Sequence, residues 1–234
     1  MTVAGHAGRP VPGAAWLQRR PEWPLAVVAL GCWGLVLLRA RPGHAGHAGG
    51  SWLQLQGEWL LMVPAMMLLP SLPMARRVAR NSLRRRRTRA VLLFGVASLA
   101  VWAGFGVAAV TAVHLLDLRS PLVLAGTLAA AAAWELTPAK RRFLRACHRM
   151  PALPPHGPKA DRACADLGLR YGRSCFGACW ALMLPMAIAG HSPGLMALLT
   201  GVAAAEEIVV RGHRIAPVAA VLLLVASAMV MVAG

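Results

Sequence analysis

Residues 172–186 read GRSCFGACWALMLPM, an apolar run carrying four sulfur side chains: Cys175, Cys179, Met183 and Met186. At the angular step of an α-helix, these four share an arc of about 80°. Packing alone accounts for such a face, since cysteine is a small buried hydrophobe and methionine a gap filler. A disulfide between Cys175 and Cys179 does not fit, because side chains one turn apart on a regular helix meet the required geometry poorly. A second apolar stretch changes the weighing. EWLLMVPAMMLLPSLPM (58–74) places Met62 with Met66, and Met67 with Met74, on shared helix faces. If both stretches cross one membrane in opposite directions, Cys179 and Met67 lie at the same depth, about 10 Å from the inner boundary. Thiolate and thioether together favour soft ions, chiefly Cu(I), with zinc less well served by methionine. Cys175 and Cys179 are therefore the primary candidate metal ligands, completed by Met183, Met66 or Met67.

Carboxylates in apolar segments are costlier than sulfur, and so more informative. Glu135 ends the run AAAAAWELTP, while Glu206 and Glu207 interrupt GVAAAEEIVV. An ionisable residue at such a position is a functional candidate by default. The plainer alternative is shallow placement, with the carboxylates snorkelling or pairing with Arg141, Arg142 or Arg211. Glu135 and Glu206 are nominated as charge partners or access groups of the metal site. Cys147 lies on the same side, but Cys147-His148…His156…Cys164 has none of the familiar zinc-finger spacings. His44 and His47 fall in GHAGHAGG, a composition that usually means a flexible linker.

These residues need a scaffold, and the composition says which kind. The chain is 58% hydrophobic and only 14% charged, too few polar groups to cover a water-exposed surface. A span takes about 20 apolar residues, with a range of roughly 17–25. Seven segments are candidates, the first and fourth of them short: 24–40, 57–74, 90–113, 121–136, 174–191, 194–210 and 216–233. The expected architecture is an all-α polytopic transmembrane bundle over 24–233, preceded by a cytoplasmic tail at 1–23. Pro64, Pro70, Pro73 and Pro185 should kink or end helices, which membrane bundles tolerate. Charge supplies the orientation. Eight arginines fall between 76 and 89 and nine Lys/Arg between 140 and 173, whereas only Arg39, Arg41 and Arg119 fall in the alternate loops. The positive-inside rule then predicts N-in and C-out, with a basic cytoplasmic loop at 137–173. Within that loop, Thr137 and Pro138 read as the N-cap and first position of a surface helix, and DRACADLGLRYG as a second short helix.

The basic balance would suggest nucleic acid in a soluble chain. Here the cations flank apolar segments, where they meet anionic lipid head groups, and no nucleic-acid motif is present. No small-residue cleavage site follows the first apolar run, so a cleavable signal peptide is not expected. Cys147, Cys175, Cys179, Met67, Glu135 and Glu206 all map to the cytoplasmic half of the bundle. That compartment keeps thiols reduced, which suits metal ligation better than structural disulfides.

Four motifs carry a family resemblance: MVPAMMLLPSLPM (62–74), ELTPAKRRFLRACH (135–148), GLRYGRSCFGACWALM (168–183) and GLMALLTGVAAAEEI (194–208). In this order they resemble the DUF2182 family of bacterial integral membrane proteins over most of residues 57–232. The resemblance implies a polytopic inner-membrane protein with metal binding. Met66, Met67, Pro70, Met74, Glu135, Pro138, Cys147, Cys175, Gly177, Cys179, Trp180, Met183 and Glu206 fall on its motif positions. Three positions depart from it: Ala178 replaces a cysteine, Tyr171 a histidine, and Glu207 a lysine.

The leading expectation is a bacterial inner-membrane protein that binds copper, or alternatively zinc, near the cytoplasmic face for handling or delivery. No catalytic residue and no nucleotide, haem or hydrolase signature is found. Two rivals remain. A thiol oxidoreductase would bring Cys147 within disulfide range of Cys175 or Cys179. A structural subunit, paired with a membrane-protein partner or a second copy, would pack the small-residue run Ala129–Ala133 against another helix.

Overall fold

The computed structural model describes residues 20–40, 51–154, 156–190, 192–208 and 215–233. Arg211, Arg214, His44, His47, His191 and most of the N-terminal tail lie outside the described residues. Among those described, the regular elements are all helical: α1 (Trp23–Arg39), α2 (Trp52–Arg80), a 3-10 turn (Arg84–Arg86), α3 (Arg87–Leu115), α4 (Pro121–Glu135), α5 (Pro138–Cys147), α6 (Pro158–Ala189), α7 (Pro193–Ile208) and α8 (Ala216–Ala233).

Local chemistry explains most of the boundaries. Ser51, Ser120 and Thr137 cap α2, α4 and α5, each accepting from a backbone N–H three residues on. Pro121 and Pro138 then sit in the first turn, where a missing N–H costs nothing. The cap and proline expected at Thr137 and Pro138 are thus observed. Four helices are long and apolar enough to cross a membrane: α2, the segment 84–115, α6 and α8. A fifth span arises if α4 and α5, bent by 73° at their junction, are counted as one. The remaining helices are shorter, with 17 residues in α1 and 16 in α7.

Two expectations change in detail. The prolines are expected to kink or end their helices; none of them ends one, since α6 runs on through Pro185 and α2 through Pro64, Pro70 and Pro73. Each proline withholds an N–H from the carbonyl four residues back. In the same stretch the indole of Trp33 donates to the Ala65 carbonyl (2.9 Å), and Ser71 donates to Leu68 (2.8 Å). The second difference is at α6. The short helix expected from DRACADLGLRYG and the span expected at 174–191 are one continuous helix of 32 residues. Its first turn is anchored by Asp161, which pairs with Arg86 and with Arg89 (2.8 Å) at the start of α3.

The packing is inverted relative to a water-soluble protein. Large apolar side chains cover the outside, among them Leu30, Leu53, Val96, Val218 and Met229, all more than half exposed. Glu135, Lys140, Glu206 and Glu207 are buried inside. An apolar exterior around a core that holds several buried charged groups suits a surrounding of lipid.

Helices α3 and α6 form the tightest seam, and glycine makes it. A Cβ built on Gly168 would lie 2.4 Å from the Phe94 carbonyl oxygen, and one on Gly172 would lie 2.8 Å from that of Ser98. Small residues at such seams let membrane helices approach closely. Gly168→Ala should lower unfolding stability by about 1–3 kcal/mol, because the obstacle is backbone and cannot swing away. Gly104→Ala, where a Cβ meets nothing within 4 Å, should be neutral or slightly stabilising. Thermal unfolding in detergent compares the two; equal losses would refute the close-approach account.

Candidate metal centre

The face predicted on α6 is turned inward: Cys175, Cys179, Met183 and Met186 are all buried. Residues 171, 175 and 179 follow each other at one-turn intervals, so Tyr171 shares the face. From α2, Met67 meets this face, with its Sδ 4.0 Å from the Cys175 Sγ. From α7 comes Glu207. Its carboxylate and the two thiols form a group whose ligand atoms all lie within 4.8 Å of one another. Tyr171 donates its hydroxyl proton to the same carboxylate. Three helices therefore converge on one point, with two thiols, a thioether and a carboxylate.

These spacings suit one ion. Zinc–thiolate bonds are about 2.3 Å long, and at that length two sulfurs 4.0 Å apart subtend an angle of roughly 120° at a shared metal. That spacing is compatible with a trigonal angle. The donor set is mainly soft, with one hard oxygen.

The other nominated residues divide. Met66 and Met183 are fully buried in the core around this point. Cys147, the last residue of α5, is buried in the same core. Glu135 and Glu206 take different partners from those expected. Rather than Arg141 or Arg142, both pair with Lys140; the third arginine expected, Arg211, lies outside the described residues. The Lys140 Nζ is 2.7 Å from Glu206 and also contacts Glu135, and all three side chains are within 1% of complete burial. The bend between α4 and α5 produces this cluster: Glu135 is the final residue of α4, and Lys140 lies in the first turn of α5. Trp134, beside Glu135, packs edge-on to Trp180, beside Cys179, with ring centroids 5.4 Å apart.

Three participants were missed. Tyr171 was noted only as a departure from the resemblance, although its spacing from Cys175 and Cys179 placed it on the same face. Glu207 was passed over in favour of Glu206. Neighbouring helical residues point about 100° apart, so one glutamate faces Lys140 and the other the thiols. Lys140 was counted with the loop's basic residues. The available signal was its type, since it is one of two lysines in a chain otherwise basic through arginine.

His148, the C-cap of α5, ties α5 to the ends of α2 and α7. Its ring nitrogens lie 2.9 Å from the Leu144 carbonyl and 3.0 Å from the Glu207 carbonyl. Arg77 of α2 donates to the His148 carbonyl (3.3 Å). Beside this junction opens a cavity of about 640 Å³, lined among others by Met74, Cys147, Tyr171, Glu206 and Glu207. The metal group and the cavity share Tyr171 and Glu207.

A family-wide comparison places residues 56–230 in the PpoB2 family, described as copper chaperones. The chain belongs to this family. The matched stretch contains every residue of the metal group and nearly coincides with the span of the four sequence motifs. Comparisons with curated proteins and with solved structures gave no match.

Removing the lysine ammonium should leave two buried carboxylates uncompensated. Lys140→Met should destabilise the protein by roughly 3–5 kcal/mol or abolish its accumulation. Adding Glu135→Gln and Glu206→Gln to Lys140→Met should restore much of that loss. Detergent unfolding and membrane yield read the cycle. A triple variant no better than Lys140→Met alone would show that the charges are not the reason for the pairing.

Proposed function

We propose that this member of the PpoB2 copper chaperone family holds Cu(I) between α2, α6 and α7 and passes it on to a copper-requiring acceptor. Cys175 and Cys179 are the principal ligands. Met67 supplies a third sulfur, and Glu207, oriented by Tyr171, supplies an oxygen or a compensating charge. The observation that carries the reading is the approach of Met67 to Cys175 beside the Cys175–Cys179–Glu207 group. A thioether adds little for a hard ion and is a good partner for a soft one.

In this reading seven helices cross the bacterial inner membrane, α1 to α4 and α6 to α8, with the N-terminus in the cytoplasm. The arginine-rich ends of α2 and α3 and the basic α5 then lie at anionic head groups, as the positive-inside rule favours. The metal group sits towards that reducing side, where its thiols remain available as ligands. No oxidation or hydrolysis is needed for this role, and the protein acts by binding and exchange rather than catalysis.

Zinc is the second candidate cargo, because two thiolates and a carboxylate form a donor set that zinc also accepts. Met67 and the family assignment favour copper over it.

Purified protein reconstituted with Cu(I) should retain about one equivalent per chain. Cys175→Ser with Cys179→Ser should lose it. Glu207→Gln should keep the fold and weaken copper binding by roughly 10–100-fold, as expected for loss of a group that tunes a ligand shell. Elemental analysis and competition with a chromophoric Cu(I) chelator provide the readouts. Equal trace copper in the wild type and the double-serine variant would remove the proposal, and zinc retained in preference to copper would reassign the cargo.

A further inference from the structure

The cavity beside the metal group has a chemistry that a bare ion does not account for. Its rim carries Arg77, Arg141 and Arg145, all exposed, and its wall carries Met74 and Cys147. The carboxylates of Glu206 and Glu207 also line the cavity but are buried, so a free Cu(I) ion approaching from solvent meets the exposed arginines, and like charge there lowers its local concentration. An anion experiences the opposite field. Arg77 spends one N–H on the His148 carbonyl, and a guanidinium has five. Arginine forks match carboxylates in particular. The volume of about 640 Å³ falls in the range of small-molecule sites and is far below that of a folded domain.

Copper in a thiol-rich, reducing compartment is carried on thiolates rather than free. We infer that the cavity receives copper as an anionic Cu(I) complex of a low-molecular-weight thiol that bears carboxylates. The carboxylates dock on Arg77, Arg141 and Arg145, and the metal faces Cys147 and Met74. This rests on the copper reading above and adds the form in which the cargo arrives.

Transfer then proceeds by ligand exchange at constant oxidation state. Cys147 forms a copper–sulfur bond as the bond to the carrier thiolate breaks, and the Cys147 thiol proton passes to the departing thiolate. In the next exchange Cys175 or Cys179 replaces Cys147 and returns a proton to it. Cys147 lines the same cavity as Glu207, whose carboxylate lies within 4.8 Å of both the Cys175 and Cys179 thiols. Glu207 and Tyr171 line the cavity and also border the metal group, so no separate channel is needed.

The test measures the rate of copper loading into the full chain in zwitterionic-lipid nanodiscs, where anionic head groups cannot occupy the arginines. Two donors are compared, Cu(I)–glutathione, which is anionic, and Cu(I)–cysteamine, which is cationic. At low salt the wild type should load roughly tenfold faster from the glutathione complex. In Arg141→Gln with Arg145→Gln, both changes at exposed positions, this preference should collapse towards unity, and high salt should do the same to the wild type. A wild type without donor preference, or a preference that survives in the variant, would overturn the inference. So would loading only from an acidic protein donor. Tetrakis(acetonitrile)copper(I) separates the two levels. If it loads the wild type while the thiol donors show no preference, this inference alone fails; if no donor loads the protein, the copper reading fails with it.

Discussion

Lys140, held between Glu135 and Glu206, is the interaction on which the arrangement of the site depends. All three groups are removed from solvent, and an ionised side chain in that setting is tolerable only when paired. The pairing has geometric consequences. It requires α4 to end at Glu135, the chain to turn by 73°, and α5 to present its first turn to the end of α7. Once Glu206 is committed to Lys140, the helical step sends Glu207 round to Tyr171 and the thiols. The carboxylate of the metal group is thus positioned by an ion pair to which it does not belong.

The same logic separates two chemistries that the sequence runs together. One is charge: a cation and two carboxylates that fix where helices end and meet. The other is soft-donor chemistry, with Cys175, Cys179 and Met67 brought together from α6 and α2. Glu207 stands at their boundary. Its neighbours are sulfur on one side and the tyrosine hydroxyl on the other, while its backbone carbonyl meets the His148 ring. A shift of α5 would therefore reach the metal group through His148 and Glu207 without any movement of α6. The tight glycine seam between α3 and α6 provides the rigid side of this arrangement, and α5 is the short element packed against it.

The proline-rich part of α2 gains a meaning in this context. Pro70 and Pro73 line the cavity next to Met74, one and two turns beyond Met67. Carbonyls released from the helical ladder are tolerated in a membrane protein where they border protein or a polar cavity rather than lipid. The helix stays continuous while two of its three prolines line the cavity.

Much of the fold was legible in the sequence because its signals are local. Apolar length marked most helices, while Thr137 and Pro138 placed the start of α5, and the four-residue sulfur spacing defined the inward face of α6. Helix α6 was cut short in the sequence reading because charged residues before Ser174 look like loop when hydropathy alone is counted. In the structure they are the N-terminal half of one long helix, tied by Asp161 to Arg86 and Arg89. The sequence by itself determined an all-helical chain with an apolar exterior, its sulfur face and its short list of buried carboxylates. Only the tertiary structure decided that Glu207 rather than Glu206 joins the thiols, that Lys140 bridges Glu135 and Glu206, and that Tyr171 completes the group. Periodicity says which residues share one helix face, but not how that helix is rotated against its neighbours. That rotation is set by the α4–α5 bend and by the cost of leaving any of these charges unpaired.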